Sequence, residues 1–474
     1  MSQHECKNQP FNFLKKSRQG SIQGNTVRAA IASIVSLFLL VGGSADGAEK
    51  PNIILILADD LGYADLKCYG HPYARTPNLD KLARQGTRFT QYYSNGATCC
   101  PARTALMTGK FCATFQKYPA DHGFGTSVTV TELLGQAGYR TGHFGKWHIG
   151  PETKAGTYGI GRIDGAEDGI RAIKRSNFGD KGRDHPIFDA AIKFIEANKS
   201  NPFYINIWGH ISHNPVNPAQ AMVEKWKGLD VRPTDFPLQM REKLSAVTAA
   251  RGDISDAMGR YLAEIEALDA DVGRLMSRLE ALGLARKTIV VFSSDQGADM
   301  TKAGLGGLRF NQMGYNGAFR GGKHTFFEGG QRVPFIVRWP GRVAENSVNE
   351  KSVISGVDWL PTLCAITGIP KVPPDLDGEN VSSVWQGNHR ERTKPLLWKT
   401  NNARSEMAIR DGKWKLFDPN RKKGQIELFD IMADPAESQN LASRHPEVVR
   451  RLTEKIGRWN ATLPKEYTKS NDKD

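Results

Sequence analysis

Two segments of this chain are apolar almost without interruption and then end in acid: residues 52–60 read NIILILADD, and residues 288–297 begin TIVVFSSD. A strand with one wet face alternates apolar and polar side chains. An unbroken apolar run of this length is a strand covered on both faces, as in a parallel sheet flanked by helices. The pattern predicts an α/β fold. In open sheets of that kind ligands gather beyond the carboxyl ends of the strands, where this sequence places Asp59, Asp60, Asp295 and Gln296.

Other segments fit the same plan. Phe203–Trp208 reads as a third strand running into HISHNP, and Pro334–Trp339 as a fourth, followed by a Pro-Gly turn. Leu262, Ile265, Leu268, Val272, Leu275, Leu279 and Leu282 fall at helical spacing and predict one long helix stopping at Gly283. From about residue 394 the pattern changes: PLLWK, MAIRDGKWKLF and GQIELFDI alternate as hairpin strands do, with Asp411-Gly412 as a turn, and PEVVRRLTEKIGRWNATL is an amphipathic helix. The expected fold class is therefore α/β, a large mixed, mostly parallel sheet flanked by helices, plus a small C-terminal antiparallel sheet with a terminal helix. Its expected divisions are 1–48, 49–393 and 394–474, with 150–186 as a long surface loop and 214–245 as a further loop.

The first division reads as an export signal. Lys15, Lys16, Arg18 and Arg28 precede the apolar run 29–43 and then small residues. The run is short for a membrane span, and no later segment qualifies, so the expected product is periplasmic or secreted with no stable span after cleavage; an uncleaved N-terminal anchor, suggested by the long stretch before the apolar run, is the alternative. The formal charge of +14 raises nucleic acid as a partner. Its Lys and Arg residues are scattered, however, without a basic run or a reader motif, which favours a basic protein that meets anionic substrates over a nucleic-acid binder. Six cysteines are too few for a disulfide scaffold. Two of them, Cys99 and Cys100, are adjacent in ATCCPARTALMTGK. Adjacency alone is compatible with a vicinal disulfide, paired metal thiolates, a nucleophile beside a buried neighbour, or a modification site.

Three carboxylates on one sheet edge repel unless a cation lies among them, and oxygen donors suit Ca²⁺ or Mg²⁺ rather than zinc. Each Asp taken singly is more commonly a loop or helix-cap residue; the Asp-Asp pair with a second matching strand is what favours a metal. Arg103, Lys146 in HFGKWHIG and Lys323 in RGGKHTFFEGG form a second, cationic set, with His148 and His213 as imidazoles able to move protons. Together these residues describe a pocket for an oxyanion, suited to phosphoryl or sulfuryl transfer.

CCPARTALMTGK resembles the signature of the formylglycine-dependent sulfatases, Cys-x-Pro-x-Arg followed by a Thr-Gly pair, here Thr108-Gly109. NIILILADDLGYADLKCYG, GYRTGHFGKWHIG, FSSDQG, GGKHTFFEGGQRVPFIVRWPG and ELFDIMADPAESQNLA resemble further blocks of that family, in order along nearly the whole chain beyond the signal. The resemblance implies an alkaline phosphatase-like fold and a sulfuric ester hydrolase of the arylsulfatase A or N-acetylgalactosamine-6-sulfatase kind. It implies that a formylglycine-generating enzyme oxidises Cys99 to formylglycine, whose hydrate attacks sulfur and later expels sulfate as His148 takes a proton. It implies Ca²⁺, with Mg²⁺ as the alternative, held by Asp59, Asp60, Asp295, Gln296 and the modified Cys99. Lys146 and Lys323 are then expected on the sulfate oxygens, Arg103 beside the nucleophile, His213 at the departing alcohol, His210 in support, and Cys100 as a small buried thiol. Sulfated carbohydrates and aryl sulfates are the implied substrates. Ala102, Lys110 and Gln296 depart from the family's usual Ser, Arg and Asn. A phosphomonoesterase or phosphodiesterase of the same fold, or a sulfated-glycan binder in which Cys99 stays a thiol, are the alternatives.

Overall fold

Asn52–Ala58 is buried along its whole length because it lies between two parallel neighbours and two cores. Ile53, Leu55 and Leu57 face one apolar cluster, while Ile54, Ile56 and Ala58 face the other. Alternation is present after all; both faces are simply dry, which is why no polar residue interrupts the run.

The computed structural model describes residues 50–165, 179–300, 313–400, 406–419 and 424–468. The expected signal segment 1–48 lies outside the described residues. In chain order the strands are β1 (Asn52–Ala58), β2 (Thr87–Phe89), β3 (Tyr92–Tyr93), β4 (Arg140–Gly145), β5 (Arg162–Asp164), β6 (Phe203–Trp208), β7 (Thr288–Ser294), β8 (Phe335–Arg338), β9 (Ser347–Asn349), β10 (Ile354–Ser355), β11 (Leu396–Lys399), β12 (Met407–Asp411), β13 (Trp414–Asp418) and β14 (Glu427–Asp430). The main sheet has the order β5-β4-β6-β1-β7-β8-β2-β9. From β5 through β7 it is parallel, β8 runs antiparallel to both β7 and β2, and β9 is parallel to β2. A mixed, mostly parallel sheet results, as the apolar runs predict.

The long helix is Ile254–Ala281, started by Asp253, whose carboxylate accepts the Ser255 and Asp256 N–H groups. Gly283, at φ 68°, follows its end. Its apolar stripe packs on one face of the sheet with the helix His185–Ala197. No helix of the described residues is long and apolar enough to cross a membrane.

Two expected loops are partly regular. Within 150–186, Arg162–Asp164 pairs in parallel with β4 as the edge strand β5; three half-exposed residues carry no apolar pattern, so nothing local marked it. Residues 166–178 of that stretch lie outside the described residues. Within 214–245, Gln220–Glu224 is helical and Leu238–Ala249 begins a second helix. There Met240, Leu244 and Val247 do fall at helical spacing and are buried, a readable signal among charged neighbours.

The C-terminal strands form the meander β11-β12-β13-β14, turned at Asp411-Gly412 between β12 and β13. Val448, Leu452 and Ile456 of the helix Pro446–Thr462 cover Ile409, Leu416 and Leu428, and the same cluster takes in Ala105 and Phe111 from the neighbourhood of the Cys99 segment. A buried ion network also joins the two sheets: Lys415 Nζ on β13 lies 2.9 Å from Glu328 Oε1 and 3.0 Å from Glu437 Oε1. Burial pushes Glu437 up to about 7 against the attraction of Lys415, whereas Lys415, Arg332 and Arg410 overcome burial and hold Glu328 at about 2. Because the folded Glu437 binds its proton more tightly than the unfolded chain does, its contribution to stability is full below the unfolded value and is lost as pH rises through about 7. Glu437→Gln is therefore expected to leave Tm near wild type at about pH 5 and to raise it relative to wild type by about pH 8, read by thermal unfolding at the two pH values.

Candidate active site

Four parallel strands deliver their C-terminal residues to one edge. β1 ends at Asp59 and Asp60, β7 at Asp295 and Gln296, β4 at Lys146, and β6 runs into His210 and His213. The register Ala58↔Ser294 sets the two acidic ends side by side. The loop after β6 folds back over β1, with the Asp59 N–H bonding Ile211 O at 2.9 Å and the Ser212 N–H bonding Asp59 O at 2.7 Å. Asp184 anchors that loop, its carboxylate accepting the His210 and Ile211 N–H groups at 2.9 and 3.1 Å.

Cys99 opens the helix Cys99–Thr108, and Pro101 sits in its first turn, where a missing N–H costs no helical bond. A spacing of four residues is one helical turn, so Cys99 and Arg103 share a face. Both are fully buried. Cys99 Sγ lies 3.3 Å from Asp59 Oδ1 and 3.3 Å from Lys146 Nζ. The Arg103 guanidinium donates to Asp295 Oδ2 at 3.1 and 2.8 Å and to Lys146 O at 3.1 Å, and stacks 4.9 Å over the Trp208 ring. Cys100 is a buried free thiol 3.8 Å from Thr104 Oγ1.

Each carboxylate has a cationic partner. Lys146 Nζ is 2.9 Å from Asp59 Oδ2, Lys323 Nζ is 3.1 Å from Asp60 Oδ2, and Arg103 pairs with Asp295. His213 Nε2 lies 3.3 Å from Lys323 Nζ and 3.8 Å from Asp60 Oδ2. The two lysines expected on sulfate oxygens thus rest on the acidic cluster, with Lys146 also against Cys99. His148 stands two residues after Lys146, at φ 56°. Burial pushes His213 down to about 4 and His210 to about 3, so both rings are neutral near pH 7.

The donor set fits a hard divalent cation. Burial pushes up Asp59, yet Lys146, His213, Arg103 and Lys323 outweigh it and hold that carboxyl well below its usual range. Asp60 and Asp295 are pushed up by burial and by Asp59, the condition a cation relieves. Ligand atoms of Asp59, Asp60, Cys99 and His213 lie within 4.8 Å of one another. Gln296 reaches Asp60 and Cys99 through Nε2, while its Oε1 is buried without a hydrogen-bond partner.

Other residues of the site lack a sequence signal. The Ser94 hydroxyl donates to the Asp295 carbonyl, and the Asp60 and Gln296 N–H groups donate to Asp295 Oδ1 at 3.1 and 3.0 Å. Ser94 stands among ordinary loop residues, and nothing local distinguishes it. His213 adds a nitrogen to the cluster that oxygen-donor reasoning had left to the alcohol.

Residues 51–369 match the family Sulfatase. The chain belongs to the sulfatase family. Residues 317–462 of this sulfatase also match the C-terminal region of N-sulphoglucosamine sulphohydrolase. It is 30% identical to human arylsulfatase A over 88% of this chain and 89% of that protein. It is 28% identical to an N-acetylgalactosamine-6-O-sulfatase of Bacteroides thetaiotaomicron over 87% and 93%. In structure it resembles Ps i-CgsB, solved with k-i-k-neocarrahexaose, at a TM-score of 0.72, with 24% identity over 89% of this chain and 96% of that one. The sulfatase is accordingly a sulfuric ester hydrolase on an α/β fold with a small C-terminal antiparallel sheet.

Proposed function

We propose that this sulfatase is exported and hydrolyses sulfate esters of carbohydrates, with aryl sulfates as further substrates, after Cys99 is converted to formylglycine. The position of Cys99 carries the reading: it heads a buried helix between Asp59 and Lys146, with Arg103 one turn along. As a thiol it is held protonated, because burial and then Asp295 and Asp59 push it well above its usual value. A thiolate nucleophile is disfavoured there, so conversion by a formylglycine-generating enzyme is what makes the position reactive. The hydrated aldehyde supplies one hydroxyl as nucleophile and a second through which sulfate is released.

Asp59, Asp60, Asp295 and Gln296, with an oxygen on residue 99, would hold Ca²⁺ or Mg²⁺, which supplies charge that lowers the nucleophile's pKa and polarises a sulfate oxygen. Lys146 and Lys323 bind the remaining sulfate oxygens and offset charge as it develops. Arg103 keeps Asp295 ionised and oriented. His213, the most exposed of these groups at 27%, faces the departing alcohol, and His148 takes the proton that accompanies release of sulfate. Arylsulfatase A and the N-acetylgalactosamine-6-O-sulfatase among the relatives support a sulfated sugar or aryl substrate. Residues 49–393 carry the chemistry, 394–474 form the C-terminal subdomain, and 1–48 are removed on export.

Peptide mass spectrometry of protein made beside a formylglycine-generating enzyme tests this, together with free-sulfate release from sulfated mono- and disaccharides. The expected result is a Cys99 peptide lighter by the conversion of thiol to aldehyde in protein that releases sulfate. Turnover by protein whose Cys99 is wholly a thiol would sink the reading.

A further inference from the structure

Lys415, on β13, is fully buried although it belongs to the C-terminal sheet, and its two carboxylate partners both belong to the brace of a single turn. The Glu328 N–H donates to Glu437 Oε2 at 2.6 Å, and Glu328 Oε2 accepts the Tyr93 hydroxyl at 2.6 Å. Glu328 heads the short turn Glu328–Gln331, and that turn runs against the end of β7. The Gly297 N–H donates to Gly330 O at 3.0 Å, immediately after Gln296. The approach is close enough that a Cβ on Gly297 would fall 1.8 Å from Gly329 O. The same turn receives the segment carrying Lys323: the Gly329 N–H bonds Arg320 O at 2.8 Å, and the Lys323 N–H bonds Ala298 O at 3.1 Å.

Asp295 is also held by Ser94, next to Tyr93. Its hydroxyl donates to the Asp295 carbonyl, its N–H bonds Gln331 O at 2.7 Å, and its own carbonyl accepts the Trp398 indole N–H at 2.9 Å. Trp398 lies on β11, and Lys415 sits 5.8 Å over its ring. Two side chains of the C-terminal sheet therefore reach the Asp295–Gln296 corner, Lys415 through Glu328 and its turn and Trp398 through Ser94.

We infer that Lys415 and Trp398 are positioning residues that set the geometry of the cation ligands Asp295 and Gln296 and of Lys323. The inference rests on the assignment of those three residues given under Proposed function. The C-terminal sheet is then a working part of the site through these two side chains. Partners that orient a ligand shell commonly change metal affinity or activity by about 10- to 100-fold when removed.

The test uses the full chain. Lys415→Met with Glu437→Gln removes the ammonium and one carboxylate, keeps an acceptor for the Glu328 N–H, and leaves Glu328 beside Arg332. Trp398→Phe deletes one N–H donor and keeps the ring packing. Leu452→Ala loosens the same subdomain without touching the network and serves as the control for lowered Tm. Calorimetric titration with Ca²⁺ and the KM for a sulfate ester are the readouts. The double variant is expected to weaken Ca²⁺ binding and raise KM by about tenfold or more, with Trp398→Phe moving both in the same direction by less. Leu452→Ala is expected to lower Tm with both readouts unchanged. Native Ca²⁺ affinity and KM in the two network variants, or an equal shift in Leu452→Ala, would overturn the inference. A wild-type protein that turns over sulfate esters without binding Ca²⁺ or Mg²⁺ overturns the ligand assignment itself, and that failure is visible before any variant is made.

Discussion

Cys99→Ala is expected to lower kcat/KM for any sulfate ester by about 10⁵-fold or more, the scale seen when a covalent nucleophile is deleted. The substitution removes the candidate nucleophile at the corner where Asp59, Lys146 and Arg103 converge. The fold should tolerate it, since a small buried thiol becomes a small buried methyl at a cost of about 1 kcal/mol. Cys100→Ala is the informative partner. Cys100 points to Thr104 and is paired by no disulfide, so its loss should leave activity within about tenfold of wild type. Equal loss from the two substitutions would mean that the adjacent thiols act jointly, as a disulfide or as metal ligands. Initial rates of sulfate release, with thermal unfolding as the check on folding, decide between these outcomes.

Arg103→Lys is expected to have the second-largest effect, although it preserves the charge. The guanidinium makes two N–H contacts to Asp295, a third to the Lys146 carbonyl, and stacks on Trp208, all without exposure to water. An ammonium is a point donor that cannot reproduce a planar fork. One of the two acceptors would lose a donor in a dry site, and breaking such a buried arrangement costs about 3 kcal/mol. Tm should fall accordingly. Activity should fall by about 100-fold or more, because Asp295 and the Lys146 backbone lose their common anchor. Retention of wild-type Tm and kcat/KM would show that the charge alone suffices.

Much of this site was legible in the chain because its chemistry sits at the ends of strong local signals. NIILILADD is an unbroken apolar run ending in acid and TIVVFSSD is nearly one, and a dry strand leaves few other ways to write that pattern. The Cys99-to-Arg103 spacing is one turn of helix, so two residues that must share a face announce each other. The meander and terminal helix after residue 394 carried equally plain alternation and helical spacing. Less was legible where pairing is made by distant residues. β5 is three half-exposed residues on a sheet edge and is a strand only because β4 is beside it. Ser94, Asp184 and Glu328 look like ordinary loop polar residues; each is buried or bonded at the site through partners between 26 and 304 residues away.

The kinds of group that meet follow from the chain alone: carboxylates at two strand ends, a cysteine one turn from an arginine, and lysines in glycine-bearing segments. Residue type and local spacing are enough for that, because strand burial and helical periodicity are short-range properties. Which cation lies on which carboxylate follows from the fold, as does the reach of the C-terminal sheet to the Asp295 corner through Lys415 and Trp398. Those facts depend on contacts between residues far apart in the chain. A buried lysine and an exposed one are written with the same letter, and only the fold says which one lost its water and had to find a carboxylate.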